Sequence, residues 1–294
     1  MGSLLGKVDA KPVLKWVGGK RELIPEIRKF YKNLNPKKYI EPFFGGGSVY
    51  FDILNTLGVS YKENSIINDF NTDLIDMYKN IKVKPDEVIY YCKKLEKIYY
   101  EKGYYFIRDH FNGSNKDKNS LKRYEGVIRS SCLILLNRTC FNGLYRINSK
   151  GLFNVPVGRY NNPTIIDEDN LYKLSELLPS IDNIRNGEFY DISEVDSGDL
   201  VYFDPPYHPL NETSSFTSYS SSFGVEEQLK LRDYFTVLSN KGVHVILSNS
   251  SSNFIREIYE GFKIIEVFSR RNINRTSSKR GKISEYLVLG KTFK

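Results

Sequence analysis

The sequence predicts an α/β protein: a mostly parallel sheet covered by helices on both faces, with a mainly helical insertion in the middle of the chain. Three observations predict it. Short apolar runs alternate with helically spaced segments towards both ends of the chain. A glycine-rich turn, FGGGS, and a proline-rich turn, DPPY, each follow one of those runs, where open α/β sheets place ligands. Between residues 85 and 140 the pattern changes to Lys- and Tyr-rich helical spacing. The expected boundaries are 1–80 with 178–294 for the sheet domain and 81–177 for the insert.

Residues 37–43, KKYIEPF, read as the first strand, and Val49, Ile53, Leu54 and Leu57 continue it at helical spacing. Residues 65–68 read as a second strand ending at Asp69, after which Asn71 or Thr72 can cap a helix carrying Leu74, Ile75, Tyr78 and Ile81. Pro85 suits the first turn of a helix that opens the insert. Residues 141–163 are dense in Gly, Asn, Pro and Arg without periodicity, an irregular basic tip to the insert. Residues 199–203 form an apolar strand that stops at DPPY, and the Ser/Thr-rich stretch 213–222 reads as a loop. Helix 226–239, strand 243–248, helix 251–260 and strands 263–268 and 284–289 complete the series.

Composition narrows the classes. Of 294 residues, 40% are hydrophobic and 27% charged, a globular profile with enough apolar side chains for a sizeable core. No apolar run reaches the roughly 18 residues of a membrane helix, and no signal peptide is expected at the N-terminus. Three cysteines (Cys92, Cys132, Cys140) and three histidines occur without CxxC or HxxxH spacing, so neither a metal site nor a disulfide framework is expected. That usage fits a reducing, intracellular location. The net charge of +8 is compatible with a phosphate polyanion as partner and equally with a solvated Lys-rich surface.

Two motifs carry chemistry. Phe43-x-Gly45-x-Gly47 follows a strand and opens a helix, so the backbone can turn tightly and a ligand can approach closely. It is not the dinucleotide fingerprint, because Tyr50 stands where the third glycine would fall, and it lacks a P-loop Lys. Asp69, 22 residues beyond Gly47, ends the next strand, where a carboxylate can accept ribose hydroxyls or simply serve a turn. Asp204-Pro205-Pro206-Tyr207 ends another strand. Its carboxylate and its proline-fixed carbonyls can accept hydrogen bonds from an exocyclic amino group. Such acceptors localise the nitrogen lone pair that a nucleobase ring otherwise withdraws. Tyr207 can stack on the base.

Lys15-Trp16-Val17-Gly18-Gly19-Lys20, then EPFFGGGS, then NGLYRINSKGLFNVPVGRYNNP (142–163), then DPPY with YHPLNETSSFTSY (207–219), together resemble the Dam family of DNA adenine-N6 methyltransferases. The motifs run over most of the chain in the family's order. The resemblance implies a Rossmann-like methyltransferase sheet, S-adenosylmethionine as cofactor, double-stranded DNA as partner, and a target-recognition role for the insert of a monomeric enzyme. It implies cofactor contacts for Trp16 over the adenosyl group, Lys20 to a carboxylate, Phe43, Gly45 and Gly47 at the turn, Asp69 at the ribose, and Phe189 beside the adenine. Asp204 matches the acceptor that also borders the cofactor, with Pro205, Pro206 and Tyr207 completing the catalytic turn. In the insert, Leu144 and Arg146 match residues that meet base edges of GATC, Arg suiting guanine and Leu the thymine methyl. Pro156 and Tyr160 match further contacts, Lys15 one to the first base pair, and Phe141-Asn142 a wedge entering as the adenine leaves. Arg159 is a further DNA contact in this reading; for both Arg146 and Arg159 the plainer alternative is a phosphate contact or a surface pair. The window 270–282 holds Arg270, Arg271, Arg275, Lys279, Arg280 and Lys282, expected to meet phosphates.

The residues weigh against the alternatives. Cytosine-C5 transfer needs a cysteine nucleophile, typically after proline, and no Pro-Cys dipeptide occurs. A nicotinamide dehydrogenase is disfavoured by the glycine spacing. Cytosine-N4 transfer shares the amine chemistry, but Asp204 and the GATC-type insert argue against it. A non-catalytic DNA-binding homologue would not need every acceptor position intact. The sequence leaves open restriction–modification, repair, regulation or a viral role.

Overall fold

The computed structural model describes residues 8–114, 121–210, 223–270 and 282–293. Helix α1 (Ile24–Tyr31) precedes strand β1 (Tyr39–Glu41), helix α2 (Ser48–Leu57), strand β2 (Ser65–Asp69) and helix α3 (Thr72–Val83). Helices α4 (Pro85–Lys102), α5 (Tyr104–Asn112), α6 (Gly126–Thr139) and α7 (Glu168–Leu177) follow. The chain then returns through β3 (Ile184–Asn186), β4 (Leu200–Phe203), α8 (Val225–Asn240), β5 (His244–Ser250), α9 (Asn253–Ile258), β6 (Lys263–Arg270) and β7 (Lys282–Leu289). The strands form one seven-stranded sheet of order β3-β2-β1-β4-β5-β7-β6. The mixed α/β class is therefore as the alternation predicts.

The chain divides into two compact units. One comprises residues 20–44, 52–68 and 187–294. In it β1 pairs in parallel with β2 (Ile40 opposite Ile66) and with β4 (Ile40 opposite Val201), and β4 with β5 (Phe203 opposite Leu247). Strand β7 runs antiparallel to both β5 and β6. The parallel strands β1, β2 and β4 are buried along their whole length, as strands covered on both faces are. Ile40, Val201, Phe203, Val245, Leu247 and Val288 pack with Leu231 and Phe235 of α8 and with Tyr259 beyond α9. From β1 the sheet extends one way to β2 and the other way to β4 and β5, so the direction of winding reverses between β1 and β4. Ligands of open α/β sheets bind beyond the carboxyl ends of strands at such a reversal.

The other unit comprises residues 1–19, 45–51 and 69–186. Helix α6 packs against α3, α4 and α5. Every position of α6 from Ser130 to Asn137 is buried, which is why its sequence shows little amphipathic periodicity. Helix α4 buries Val88, Ile89, Cys92 and Leu95 on one face, and Pro85 sits in its first turn as predicted. The three cysteines are buried and unpaired. Sequence patterning missed α1, α7 and β3, which are short. No helix among the described residues is long and apolar enough to cross a membrane.

Candidate active site

The first group of predicted residues gathers where β2 meets α3. Asp69 is 9% exposed. Its Oδ2 accepts the Gly45 N–H at 2.9 Å and its Oδ1 the Asn71 N–H at 2.9 Å. Burial pushes this carboxyl up to about 6, against the lowering pull of the two backbone donors. The Asn71 side chain accepts the Leu74 N–H at 3.1 Å, so Asn71 is the helix cap. Gly45 has φ +50°, and a Cβ there would stand 2.8 Å from Cδ1 of Trp16. Glycine is therefore required twice over, for the left-handed backbone and for the indole lying across it. The Gly45 carbonyl accepts the Tyr78 hydroxyl at 3.0 Å. Gly47, also at positive φ, turns the chain into α2. Phe70, next to Asp69, is 67% exposed, an aromatic face that sequence reasoning passed over.

The second group lies at the end of β4. Lys20 Nζ stands 2.8 Å from Asp204 Oδ1 and 4.6 Å from the centre of the Tyr207 ring. Lys20 thus meets a protein carboxylate. Ser248 donates to the same Oδ1 at 3.0 Å. Because a serine has one proton to give, the 2.9 Å contact between Ser248 and Tyr202 runs from the tyrosine hydroxyl to the serine oxygen. Burial raises the Asp204 carboxyl, with Lys20 and Ser248 pulling it down. Both donors converge on Oδ1, and Oδ2 takes no hydrogen bond from the described residues.

The two proline carbonyls are not equivalent. Pro206 accepts Gln228 Nε2 at 2.9 Å, while Gln228 Oε1 accepts Asn249 Nδ2 at 3.1 Å. The Pro205 carbonyl takes no hydrogen bond from the described residues. Tyr207 donates its hydroxyl to Glu285 at 2.6 Å, which fixes the ring. Phe43 stacks on Phe189 at 5.4 Å between ring centres. Phe189 is 3% exposed, so it packs behind Phe43, which keeps part of its surface open.

The predicted recognition residues form a loop tied across its base. Isolated antiparallel bridges join Cys140 to Val157 and Ile147 to Phe153. Phe141, exposed, donates its N–H to the Pro156 carbonyl at 2.8 Å, and Asn142 adopts φ 55°. Asn137, buried, accepts the Lys15 N–H at 2.8 Å and donates to the Gly143 carbonyl at 2.8 Å. Lys15 Nζ lies 4.3 Å from the centre of the Tyr160 ring. Arg146 donates Nε to Asn154 Oδ1 at 2.7 Å, which orients the guanidinium. Leu144 is half-buried, and Pro156 and Arg159 are exposed. Arg270 ends β6 opposite Lys282 of β7. Arg271, Arg275, Lys279, Arg280 and the stretch 213–222 lie outside the described residues. No group of metal-ligating side chains is present among the described residues.

Ser248 and Glu285 escaped sequence reasoning because they sit far along the chain in strands without a motif. Ser248 had a signal that needs the sheet: Leu247 pairs with Phe203, so the next residue of β5 lies beside Asp204.

The family model described as D12 class N6 adenine-specific DNA methyltransferase matches residues 16–273. The chain is 41% identical over 288 residues to the Type II methyltransferase M1.LlaDCHI of Lactococcus lactis subsp. cremoris, covering 96% of each. It is 42% identical over 287 residues to the Type II methyltransferase M.MjaIII of Methanocaldococcus jannaschii, covering 93% of this chain and 96% of that one. The DNA adenine methylase of Escherichia coli is 34% identical over 289 residues, covering 95% of this chain and 94% of its own.

Proposed function

Since the chain belongs to the D12 class of N6 adenine-specific DNA methyltransferases, which depend on S-adenosylmethionine, we propose that it methylates the adenine of 5′-GATC in duplex DNA by direct transfer to an extruded base. The observation that carries the reading is the asymmetry of Asp204. Lys20 and Ser248 hold Oδ1, and Oδ2 remains to accept an amino proton. The Pro205 carbonyl supplies the second acceptor in this reading. With both amino protons engaged, the N6 lone pair is drawn out of the ring and becomes nucleophilic. The Tyr207 ring, fixed by Glu285, offers a stacking face to the base. Extrusion costs a few kcal/mol, and stacking returns roughly 1–3 of them.

The residues fit the cofactor. S-adenosylmethionine, when bound, supplies an electrophilic methyl group. Asp69 keeps a lone pair on each oxygen after its single backbone hydrogen bond, enough to accept ribose hydroxyls. Phe70 and Trp16 offer aromatic faces to the adenosyl group, and the family resemblance assigns Phe43, stacked on Phe189, to the cofactor as well. Lys20 balances the charge of Asp204.

We assign DNA reading to the insert 81–177 together with Lys15: Arg146 to a guanine, Leu144 to a thymine methyl, and Lys15, Pro156 and Tyr160 to further contacts in the site. Phe141-Asn142 form the wedge, and Arg159 with the basic window 270–282 meets phosphates. The reading places a monomeric protein on DNA inside the cell. The Type II names of two relatives support a restriction–modification setting. Replacing Asp204 with Ala tests the assignment. Methyl transfer from labelled cofactor to a GATC duplex should be abolished with the fold intact, and turnover near that of the parent would overturn the role.

A further inference from the structure

Tyr145 lies between Leu144 and Arg146, yet its side chain turns away from the loop surface. Its ring meets Trp16 at 5.6 Å between centres and 32° between planes, and Phe153 at 5.7 Å on the loop side. Its hydroxyl donates to Asp73 Oδ2 at 3.1 Å. Asp73 is itself gripped by Arg129, with Nε 2.7 Å from Oδ1 and Nη2 2.9 Å from Oδ2. Arg129 is anchored in turn by the Phe111 carbonyl at 2.6 Å and the face of the Phe111 ring at 3.8 Å.

Two routes lead from this ring to Asp69. One runs through Trp16, which lies against Gly45, whose N–H donates to Asp69 Oδ2. The other runs through Asp73 in the first turn of α3, two residues beyond Asn71, whose N–H donates to Asp69 Oδ1. Both oxygens of Asp69 are thus held by backbone that Tyr145 braces. On the loop side, the backbone flanking Tyr145 is tied down as well. The Leu144 N–H donates to the Phe141 carbonyl at 3.3 Å, and the Arg146 carbonyl accepts the Asn154 N–H at 3.0 Å.

We propose that Tyr145 is a positioning residue that links target reading to cofactor binding. Seating the 141–154 loop on DNA fixes Tyr145, and Tyr145 fixes Trp16 and the two donors of Asp69. This rests on the roles proposed above for Arg146, Trp16 and Asp69. Linkage is reciprocal: DNA that tightens the cofactor must be tightened by it to the same degree. An exposed loop residue would carry no such effect.

Trp16 is the one tryptophan of the chain, so its fluorescence reports this contact without labelling. The test measures the dissociation constant of S-adenosylhomocysteine by calorimetry, with and without a saturating GATC duplex, alongside Trp16 emission. The parent chain should bind the probe at least about 5-fold more tightly on DNA, the lower end of typical couplings. Tyr145→Ala should bring that ratio to within about 2-fold of unity and red-shift Trp16 emission as the indole meets water. Tyr145→Phe keeps the ring and loses the bond to Asp73. It should keep the emission and an intermediate ratio, which a misfolded variant could not. A parent ratio near unity, or a parent-like ratio in Tyr145→Ala, overturns the linkage. Loss of methyl transfer by the parent itself would overturn the underlying reading instead.

Discussion

Asp69→Asn should make the protein more stable and a poorer binder of its cofactor, and both effects can be sized from the structure. The Asp69 carboxyl titrates at about 6 in the folded chain against an ordinary value of 3.8. The folded state therefore holds its proton more tightly than the unfolded chain does. Above pH 6 the ionised side chain costs the fold about 3 kcal/mol, a cost that shrinks as pH falls through 6 and vanishes below 3.8. Asparagine removes the buried charge but presents one oxygen to two backbone donors, those of Gly45 and Asn71. Losing one of those bonds costs about 1 kcal/mol, so the net gain at pH 8 is about 2 kcal/mol. The cofactor loses a charged acceptor worth roughly 1.5–3 kcal/mol, a rise in its dissociation constant of roughly 10- to 150-fold. Urea unfolding of both proteins at pH 8 and pH 4, with calorimetric titration of S-adenosylmethionine at pH 8, reads every quantity. The gain should be present at pH 8 and absent at pH 4. A variant less stable than its parent at pH 8, or one that binds cofactor unchanged, would refute the reasoning.

Three further perturbations bear on the site. Ser248→Ala removes a donor from Asp204 and leaves the buried Tyr202 hydroxyl without its acceptor. Turnover should fall roughly 10-fold by losing about 1–2 kcal/mol, and the acid limb of the pH–rate profile should move to higher pH, because Ser248 lowers the Asp204 carboxyl. An unmoved acid limb would exclude Ser248 from orienting Asp204. Arg146→Ala should relax preference at one base pair by about 1–3 kcal/mol, roughly 5- to 150-fold, when assayed on GATC and its single substitutions. Uniform loss on all substrates would reassign it to the backbone. Gly45→Ala forces a Cβ to within 2.8 Å of Trp16 and should weaken cofactor binding, measured by calorimetry, more than DNA binding, measured by gel shift. Equal losses would argue against a local effect.

The legible parts of this molecule were those that local sequence controls. Asp204 follows an apolar strand with two rigid prolines behind it, and Asp69 ends another strand before a side-chain cap, so chain order alone placed both. The antiparallel pairing of β7 with β5 and β6 was not legible, because an apolar strand looks the same in either direction. Ser248 and Glu285 depend on that sheet order, and neither residue type is distinctive in a strand. Tyr145 was hidden differently. The resemblance marks its neighbours Leu144 and Arg146 for base reading, and nothing local shows that the residue between them turns inward to Trp16. Lys20 reads from the sequence as able to pair with a carboxylate, but its 2.8 Å contact with Asp204 needs the fold, because the two residues lie far apart in the chain.

The most direct test maps methylated bases at single-nucleotide resolution in plasmid DNA from cells that lack adenine methylation and express this chain. Methylation should fall on N6 of the adenine in GATC on both strands and disappear with Asp204→Ala. Methyl groups on cytosine, or on adenines outside GATC, would contradict the proposed function.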